Sequence, residues 1–363
     1  MAETSRAMVF HEAGRPLELC RYPLPRLADG EVLVRITCCT LCGSDVHTYE
    51  GRRSTPCPTV LGHEILGRVA GLPSGSRVCD DEGTPLKIGD RITWSVAAGC
   101  GSCFFCRDGL PQKCERLFKY GHERTGDRRP LSGGLADYCH LAPGTAVFRL
   151  PPALVDAVAC PANCATATCA AAMRYAGPCE GRVVLVQGAG MLGLTTAAMA
   201  ATSGAREVLV CDRLTERLER ACGFGATQTA CVDPDDAALS SMVKEATSGR
   251  GVDVAIDLSG DPTAMEAGIE LLRIGGRYVW VGAVFPARPL SISAETVVRK
   301  LLSVQGVHNY RPEDLRVALR FLEKNHARFP FEELVAETFS LEDADAAFAH
   351  ASRSGALRVA VRP

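Results

Sequence analysis

A glycine-rich turn between an apolar strand and an apolar helix constrains this chain most strongly. In the segment VVLVQGAGMLG (183–193), the glycines allow a tight turn and a close approach to a phosphate group, and the next helix begins with free backbone amides. Strands and helices then alternate as far as residue 307, a βαβ pattern typical of a parallel sheet. Two βαβαβ halves predict an α/β fold with a doubly wound, six-stranded sheet.

The same turn predicts a dinucleotide site. Asp212 ends the strand REVLVCD, 19 residues after Gly193, where a carboxylate would accept hydrogen bonds from an adenosine ribose and repel a 2′-phosphate. NAD is therefore the predicted cofactor, with NADP as the alternative because an arginine follows directly. A strand-to-helix turn without a ligand is the other interpretation. The predicted cofactor-binding residues are Gly188, Gly190, Met191, Leu192, Gly193, Asp212, Arg213 and Arg217.

The chain before this domain has a different pattern. Short β-rich runs broken by glycine and proline predict a barrel-like or sandwich domain, and they lie at 31–38, 65–70, 91–96 and 136–141. After residue 310, we predict one amphipathic helix (Glu313–Asn325) and a last strand (Leu357–Val361). We expect a first domain over 1–155, the doubly wound domain over 156–307, and a return to the first domain over 308–363.

A compact cysteine lobe, about residues 97–116, predicts a metal site. The sequence GCGSCFFCRDGLPQKC spaces four thiols so that they can converge on one tetrahedral ion, as in closed structural zinc sites. An iron–sulfur cluster is the competing interpretation, and four unligated thiols are the third. The predicted ligands are Cys100, Cys103, Cys106 and Cys114.

A second candidate centre lies earlier, in CGSDVH followed by GHE. A thiolate and an imidazole about twenty residues apart can bind zinc from two adjacent loops, and a nearby hydroxyl and imidazole could carry away a proton. A buried thiol and a hydrogen-bonded histidine without metal are the alternative. The residues concerned are Cys42, Ser44, Asp45, His47, His63 and Glu64.

The charge composition argues against some classes of binding partner. The chain has 40 Lys and Arg against 42 Asp and Glu, and we find no basic run, so nucleic acid and anionic membranes are not expected partners. No secretory signal opens the chain, which predicts a cytoplasmic protein with reduced thiols. The apolar stretch 153–176 is interrupted by polar residues and proline, so we predict a buried helix there rather than a membrane span. It carries Cys160, Cys164 and Cys169.

Taken together and in this order, the motifs resemble the zinc-dependent medium-chain dehydrogenase/reductase superfamily of alcohol, sorbitol and threonine dehydrogenases, over essentially the whole chain. The resemblance implies a GroES-like, β-rich catalytic domain, a Rossmann domain, and a C-terminal tail that returns to the first. It implies a catalytic zinc bound by Cys42, His63 and a third ligand 24 residues before Gly188, which is Cys164. Cys160 is the fallback, and sorbitol-type relatives carry a glutamate at this position.

The resemblance also assigns roles in a reaction. Glu64 is similar to a glutamate that can become a transient zinc ligand, and Asp45 to a carboxylate that orients the histidine ligand. Zinc would lower the pKa of an alcohol hydroxyl far below its usual value, towards about 7. Ser44 and His47 would pass the proton to solvent by way of the cofactor ribose while hydride moves to the nicotinamide. Two zinc ions per chain and a homodimer or homotetramer are implied.

The substrate is predicted to be a small polar alcohol, interconverted with its aldehyde or ketone. Segments 118–134 and 307–315 are polar and basic, and they resemble a subgroup proposed to act beside phosphonate catabolism, which favours a phosphonate-bearing or amino alcohol. A polyol- or threonine-type dehydrogenase is the alternative; a zinc-free enone or quinone reductase and a thiol redox sensor are less favoured. The residues behind this expectation are Tyr120, His122, Arg128, Arg129, His308, Asn309 and Tyr310.

Overall fold

The computed structural model describes residues 3–126, 129–232 and 237–363. Unit 1 consists of residues up to 164 with 311–326 and 331–363, and unit 2 of residues 165–310 with 327–330. Up to residue 164 the elements are β1 (Thr4–Phe10), β2 (Glu18–Pro23), β3 (Val32–Leu41), α1 (Gly43–Tyr49), β4 (Thr59–Val60), β5 (Glu64–Gly71), β6 (Arg91–Trp94), β7 (Ala97–Ala98), α2 (Phe104–Arg107), β8 (Phe118–Lys119), β9 (Tyr138–Leu141), β10 (Val147–Arg149) and α3 (Asp156–Ala159).

The remaining elements complete both units. From residue 165 to 310 they are α4 (Ala165–Ala176), β11 (Val183–Gln187), α5 (Met191–Thr202), β12 (Glu207–Asp212), α6 (Thr215–Gly223), β13 (Gln228–Cys231), α7 (Ala238–Thr247), β14 (Val252–Asp257), α8 (Pro262–Leu271), β15 (Leu272–Trp280), α9 (Ala294–Arg299) and β16 (Ser303–Gly306). The tail forms α10 (Pro312–Asn325), β17 (Val335–Ser340), α11 (Ala344–Arg353) and β18 (Arg358–Arg362). Short 3-10 turns lie at Pro111–Lys113, Cys160–Asn163 and Phe331–Leu334.

Unit 1 is built around a seven-stranded sheet. Its strand order is β10-β6-β5-β3-β18-β17, and β9 also pairs with β3. The long strand β3 is buried along most of its length, with Arg35 exposed, and β18 lies antiparallel to it, so the chain's last strand lies beside one of its first. The core includes Trp94, Ile65 and Phe348, each at most 1% exposed. This sheet positions the ends of β3 and β5, where the functional side chains gather.

Unit 2 confirms the predicted α/β doubly wound fold. Its parallel sheet has the order β13-β12-β11-β14-β15-β16, which reverses direction at β11. The strands β11 and β14 are buried on both faces and are rich in valine, as expected when helices cover both sides of a parallel sheet. The predicted alternation continues between β13 and β14 with helix α7, which begins at Ala238.

Two predictions need correction. The tail holds β17 and α11 in addition to the predicted helix and strand; β17 is mostly exposed at the sheet edge, so VAETFS lacks the apolar alternation that would indicate a strand. The apolar stretch 153–176 is not one helix: a 3-10 turn interrupts it, and Cys164 has non-helical angles (φ −131°, ψ −72°). Pro161 in this turn has no amide hydrogen to continue the helix.

Over 3–126, 129–232 and 237–363, none of the helices combines the length and apolar character needed to cross a membrane.

Candidate active site

One group of metal-binding side chains gathers in unit 1. The ligand atoms of Cys42, His63, Glu64 and Cys164 all lie within 4.8 Å of one another. Cys42 ends the loop before α1, His63 and Glu64 open β5, and Cys164 follows the 3-10 turn before α4. The break in the predicted helix is therefore what lets the Cys164 thiol face the other side chains. We call this group the catalytic cluster.

The thiols and the imidazole have the spacing of zinc ligands. Cys164 Sγ lies 3.4 Å from His63 Nε2, and two ligands at the usual Zn–S and Zn–N distances of a tetrahedral site would be about 3.6 Å apart. A hydrogen bond from Cys164 holds the pKa of the Cys42 thiol well below its usual range, and the Arg358 guanidinium lowers it further. A donor set of two sulfurs and one imidazole is one that suits zinc.

Asp45 fixes the orientation of the histidine. Its Oδ1 accepts a hydrogen bond from His63 Nδ1 at 3.0 Å and from the Gly62 amide at 3.3 Å, and its Oδ2 accepts from the Cys42 amide at 3.0 Å. The carboxylate is 1% exposed. Because Nδ1 donates to Asp45, Nε2 is the imidazole atom that remains for a metal.

Other side chains engage the Glu64 carboxylate, and its role as a zinc ligand stays a prediction. Arg358 Nε and Nη2 each donate to its carboxylate at 2.7 Å, and the Thr40 hydroxyl donates at 2.6 Å. Glu64 is 0% exposed and Arg358 4%. With both of its oxygens engaged in this way, the cluster offers three protein ligands and leaves a fourth position for another group, the pattern of catalytic zinc sites.

Ser44 and His47 lie on one face of α1. They are three positions apart, which places their side chains next to each other on a helix. Both are half-buried. Burial, reinforced by the nearby Arg52, lowers the pKa of His47 below its usual value. At neutral pH this imidazole is therefore neutral and able to accept a proton.

Cys160, the fallback ligand, is placed elsewhere. Its thiol donates to the carbonyl oxygens of Glu64 at 3.2 Å and Cys38 at 3.4 Å, and it is fully buried. It does not belong to the catalytic cluster.

The four lobe cysteines form a second cluster. Cys100, Cys103, Cys106 and Cys114 also bring their sulfurs within 4.8 Å of one another. The Cys103 and Cys114 sulfurs are 3.8 Å apart, and four sulfurs around zinc at the usual bond length would be separated by about 3.8 Å. The amides of Cys100 and Arg116 donate to Cys114 Sγ at 3.2 and 3.3 Å. Hydrogen bonds from Ser102 lower the pKa of Cys100 to about 5.

The three glycines of the motif occupy different structural positions in unit 2. Gly188 has φ +99°, which favours glycine. A Cβ on Gly193 would lie 1.8 Å from the Gly188 carbonyl oxygen, so only glycine lets α5 start this close to the turn. Gly190 caps α5 and has open space around its Cα. Met191 and Leu192 form the first turn of α5, where the backbone amides lack partners within the helix.

Asp212 closes the same turn from the end of β12. Its carboxylate accepts hydrogen bonds from the amides of Ala189 at 2.7 Å and Leu214 at 2.9 Å. Arg217 lies 3.9 Å from it, and Arg213 is exposed beside it. An acidic group and two arginines therefore share the end of this strand.

Part of the predicted substrate segment is engaged elsewhere. The Tyr120 hydroxyl is within 2.6 Å of the Thr145 hydroxyl and accepts from the Ala142 amide at 2.9 Å, and Arg129 pairs with Glu31. Arg128 lies outside the described residues. His308, Asn309 and Tyr310 belong to unit 2, where Asn309 has φ +57°.

Sequence reasoning missed the residues that hold the cluster together. Arg358 and Thr40 bind Glu64, and the Asn163 side chain donates to the carbonyls of His63 at 3.2 Å and Trp94 at 3.1 Å. The sequence did contain a signal for Arg358, because it begins the otherwise apolar run RVAV. A buried arginine needs a buried acid as its partner, and Glu64 is one.

Known proteins resemble both parts of the chain. Residues 28–152 match the alcohol dehydrogenase GroES-like domain, and residues 192–324 match the zinc-binding dehydrogenase domain. The chain is 31% identical to 5-exo-hydroxycamphor dehydrogenase of Pseudomonas putida over 97% of both chains, and 30% identical to L-threonine 3-dehydrogenase of Shigella dysenteriae over 92% of both. It is 29% identical to an alcohol dehydrogenase from Thermotoga maritima, whose structure matches with a TM-score of 0.94 over the full length of both chains.

Proposed function

Since this chain belongs to the zinc-dependent medium-chain dehydrogenase/reductase family, whose members named above oxidise CH–OH groups, we propose that it is a zinc- and NAD-dependent dehydrogenase of a small polar alcohol. The observation that carries this proposal is the catalytic cluster. Two thiols and an oriented imidazole converge, while Arg358 withholds the adjacent carboxylate of Glu64.

Cys42, His63 and Cys164 would hold the catalytic zinc. Bound there, zinc supplies a Lewis acid that lowers the pKa of an alcohol hydroxyl towards about 7. Asp45 keeps the His63 imidazole in the tautomer that presents Nε2. Ser44 would accept the hydroxyl proton of the substrate.

Separate residues of the chain would accept the substrate proton and bind the NAD that takes the hydride. His47, three residues along α1 from Ser44, would accept the proton from the relay because its pKa is low enough to keep it neutral. NAD supplies the hydride acceptor. The free amides at the start of α5 would bind its pyrophosphate, and Asp212 its adenosine ribose.

The lobe cysteines would hold a second, structural zinc. Four sulfurs fill all the positions of a tetrahedral ion, so this site would stabilise residues 97–116 and take no part in the reaction. We further propose a homodimer or homotetramer. The edge strand β16 and the segment before it, which includes α9, expose apolar side chains, among them Val298 (70%) and Leu301 (71%). A second copy of the chain could bind there.

Replacing Cys42 tests the assignment, and Cys160 offers a matched control. Cys42→Ala should lose one of two zinc ions per chain and reduce alcohol oxidation by at least a hundredfold, while NADH binding, followed by fluorescence, is retained. Cys160→Ala removes a thiol next to the cluster but outside it, so both zinc ions and activity should remain.

Two outcomes would contradict the proposal. Alcohol oxidation that persists in Cys42→Ala would exclude this cluster as the reaction centre. NADPH-dependent reduction of an enone by metal-free protein, without oxidation of any alcohol, would instead favour a zinc-free reductase.

A further inference from the structure

One segment of unit 1 lies directly against the catalytic cluster. A Cβ on Gly121 would be 2.6 Å from the Gly62 carbonyl oxygen and 3.1 Å from His63 Cβ, so this backbone touches the histidine ligand. The His122 ring meets the His63 ring edge-on, with centroids 5.0 Å apart. Side chains that flank Gly121 therefore border the space in front of the cluster.

His122 forms a hydrogen bond with Arg53 next to the catalytic cluster. Arg53 Nη1 lies 2.9 Å from His122 Nε2, and because a guanidinium only donates, Nε2 must accept. The other nitrogen, Nδ1, donates to the Tyr120 carbonyl at 3.1 Å. The imidazole is thus neutral, and it leaves the positive charge of Arg53 uncompensated. The Arg53 amide also donates to the His47 carbonyl at 3.1 Å, which ties the arginine to α1.

Lys119 adds a second cation at the same place. Burial lowers its pKa, the nearby Arg53 guanidinium lowers it further, and the Cys164 and Cys42 thiols act in the opposite direction. Lys119 ends β8 two residues before Gly121, whose backbone touches His63, so it belongs to the segment that lies against the cluster. Two half-buried like charges repel each other, and an anion between them would relieve that repulsion.

The nearby acids are committed to other partners. Asp45 binds His63 and two amides, and Glu64 binds Arg358. Glu123, next to His122, accepts a hydrogen bond from the Lys119 backbone amide at 2.8 Å through its Oε1. Neither Arg53 nor Lys119 has an ion pair with a carboxylate of the described residues, whereas the neighbouring Arg52 pairs with Glu50 and Arg129 with Glu31.

We infer that Arg53 and Lys119 form an oxyanion subsite beside the catalytic cluster, and that the substrate alcohol carries a carboxylate or phosphonate group. The inference rests on the proposed function, because it concerns the substrate of that same site. A planar guanidinium can donate two hydrogen bonds to such a group, and an ammonium adds a compact charge. The neutral His122 holds the guanidinium without competing for the anion.

Substrates of the same shape but different charge test whether the site prefers an anionic alcohol. We would compare kcat/KM for 3-hydroxypropanoate, 3-hydroxypropanamide and 2-hydroxyethylphosphonate with the zinc-loaded enzyme and NAD. The acid and the amide have the same shape and differ in charge, so we expect the acid to be favoured at least tenfold. The phosphonate shows whether a dianion is preferred to a carboxylate.

Variants assign the effect to the two cations. Arg53→Gln and Lys119→Gln should each lower kcat/KM for the anionic alcohols by about 10- to 100-fold, the range for a hydrogen bond to a charged group, and leave the amide within about twofold. Arg53→Lys should recover part of the loss. Arg52→Gln, which removes the adjacent arginine, should leave the preference for the acid over the amide unchanged, because any effect through His47 would alter both rates alike. Zinc content and thermal unfolding serve as checks that each variant is folded.

A binding measurement separates this inference from the proposed function. With saturating NADH present to occupy the pyrophosphate site, inorganic phosphate or propanoate should raise the unfolding temperature, and Arg53→Gln should abolish that increase. If the three alcohols are not oxidised but this anion binding is seen, the subsite stands and the proposed function is in error. If acid and amide are oxidised equally, or if Arg53→Gln slows both alike, the subsite is wrong and the dehydrogenase assignment survives.

Discussion

The buried ion pair between Arg358 and Glu64 predicts a large and specific loss of stability. Arg358→Met keeps much of the aliphatic stem but removes both hydrogen bonds to the carboxylate, each 2.7 Å long. Hydrogen bonds to charged groups contribute about 1.5–3 kcal/mol each, and breaking a buried ion pair by removing one partner costs about 3–5 kcal/mol. Because Glu64 is fully buried, we expect a loss of about 4 kcal/mol in the free energy of unfolding of unit 1.

The chain offers a clean assay, because it has 2 tryptophans and the structure places one in each unit. In a Trp280→Phe background, the fluorescence of the fully buried Trp94 reports the unfolding of unit 1 in guanidinium chloride. Arg320→Met is the matched control, since Arg320 and Glu82 form an exposed pair at 3.3 Å that should be worth at most about 1 kcal/mol.

A double-mutant cycle decides whether the pair itself is responsible. Glu64→Gln removes the buried charge, so its combination with Arg358→Met should cost at least about 2 kcal/mol less than the sum of the single changes. The reasoning is refuted if Arg358→Met costs no more than Arg320→Met, or if the two changes at the pair are additive. Zinc content measured on each variant shows whether metal loss contributes.

Three further predictions concern the other sites. Cys103→Ser should lose one zinc ion per chain, measured by atomic emission, and make residues 97–116 sensitive to proteolysis, because the metal would replace an apolar core there; unchanged zinc content would argue against the structural site. Asp212→Ala should lower kcat/KM with NAD and raise it with NADP by about tenfold or more, since Arg217 would then be free to bind a 2′-phosphate; an unaltered cofactor preference would be the contrary result. His47→Gln should slow alcohol oxidation at pH 7 by about a hundredfold and much less at high pH, where hydroxide can take the proton. In the unchanged enzyme the pKa of His47 lies below its usual value, so the imidazole stays neutral at pH 7 and oxidation should fall only when the pH drops below that lowered pKa. A pH profile identical in enzyme and variant would exclude the relay.

The sequence predicted what depends on local spacing. The doubly wound fold is confirmed by the strand order of unit 2. Its sequence signals were short: a valine-rich strand followed by a glycine-rich turn, in which a Cβ on Gly193 would meet the Gly188 carbonyl oxygen. The lobe cysteines are likewise close in sequence, so their convergence follows from one loop. The assignment of Cys164 depended on resemblance, because three cysteines shared one apolar stretch and spacing alone could not place the break that exposes it. The ligand roles remain predictions.

Contacts between distant residues could not be predicted in the same way. Polar character suggested that Tyr120 and Arg129 face a substrate, but Thr145 and Glu31 bind them instead, and nothing local identifies those partners. Arg53 shows the opposite case, since its neighbour Arg52 looks identical in sequence. Only the position of His122 across the fold separates the cation beside the cluster from the one that pairs on the surface.

The register of three strands explains why the C-terminal strand matters to the catalytic cluster. Thr40 on β3 pairs with Glu64 on β5 and with Ala360 on β18, so the carboxylate and the strand of Arg358 flank the same central strand. Arg358 then reaches both Glu64 and, at 3.5 Å, the Cys42 sulfur. A shift of one residue in β18 would turn Arg358 to the opposite face of the sheet and leave Glu64 buried without a cation. The ion pair that engages Glu64 in the catalytic cluster thus depends on the register of a strand almost 300 residues further along the chain, so the C-terminal strand is part of the structure that supports the cluster.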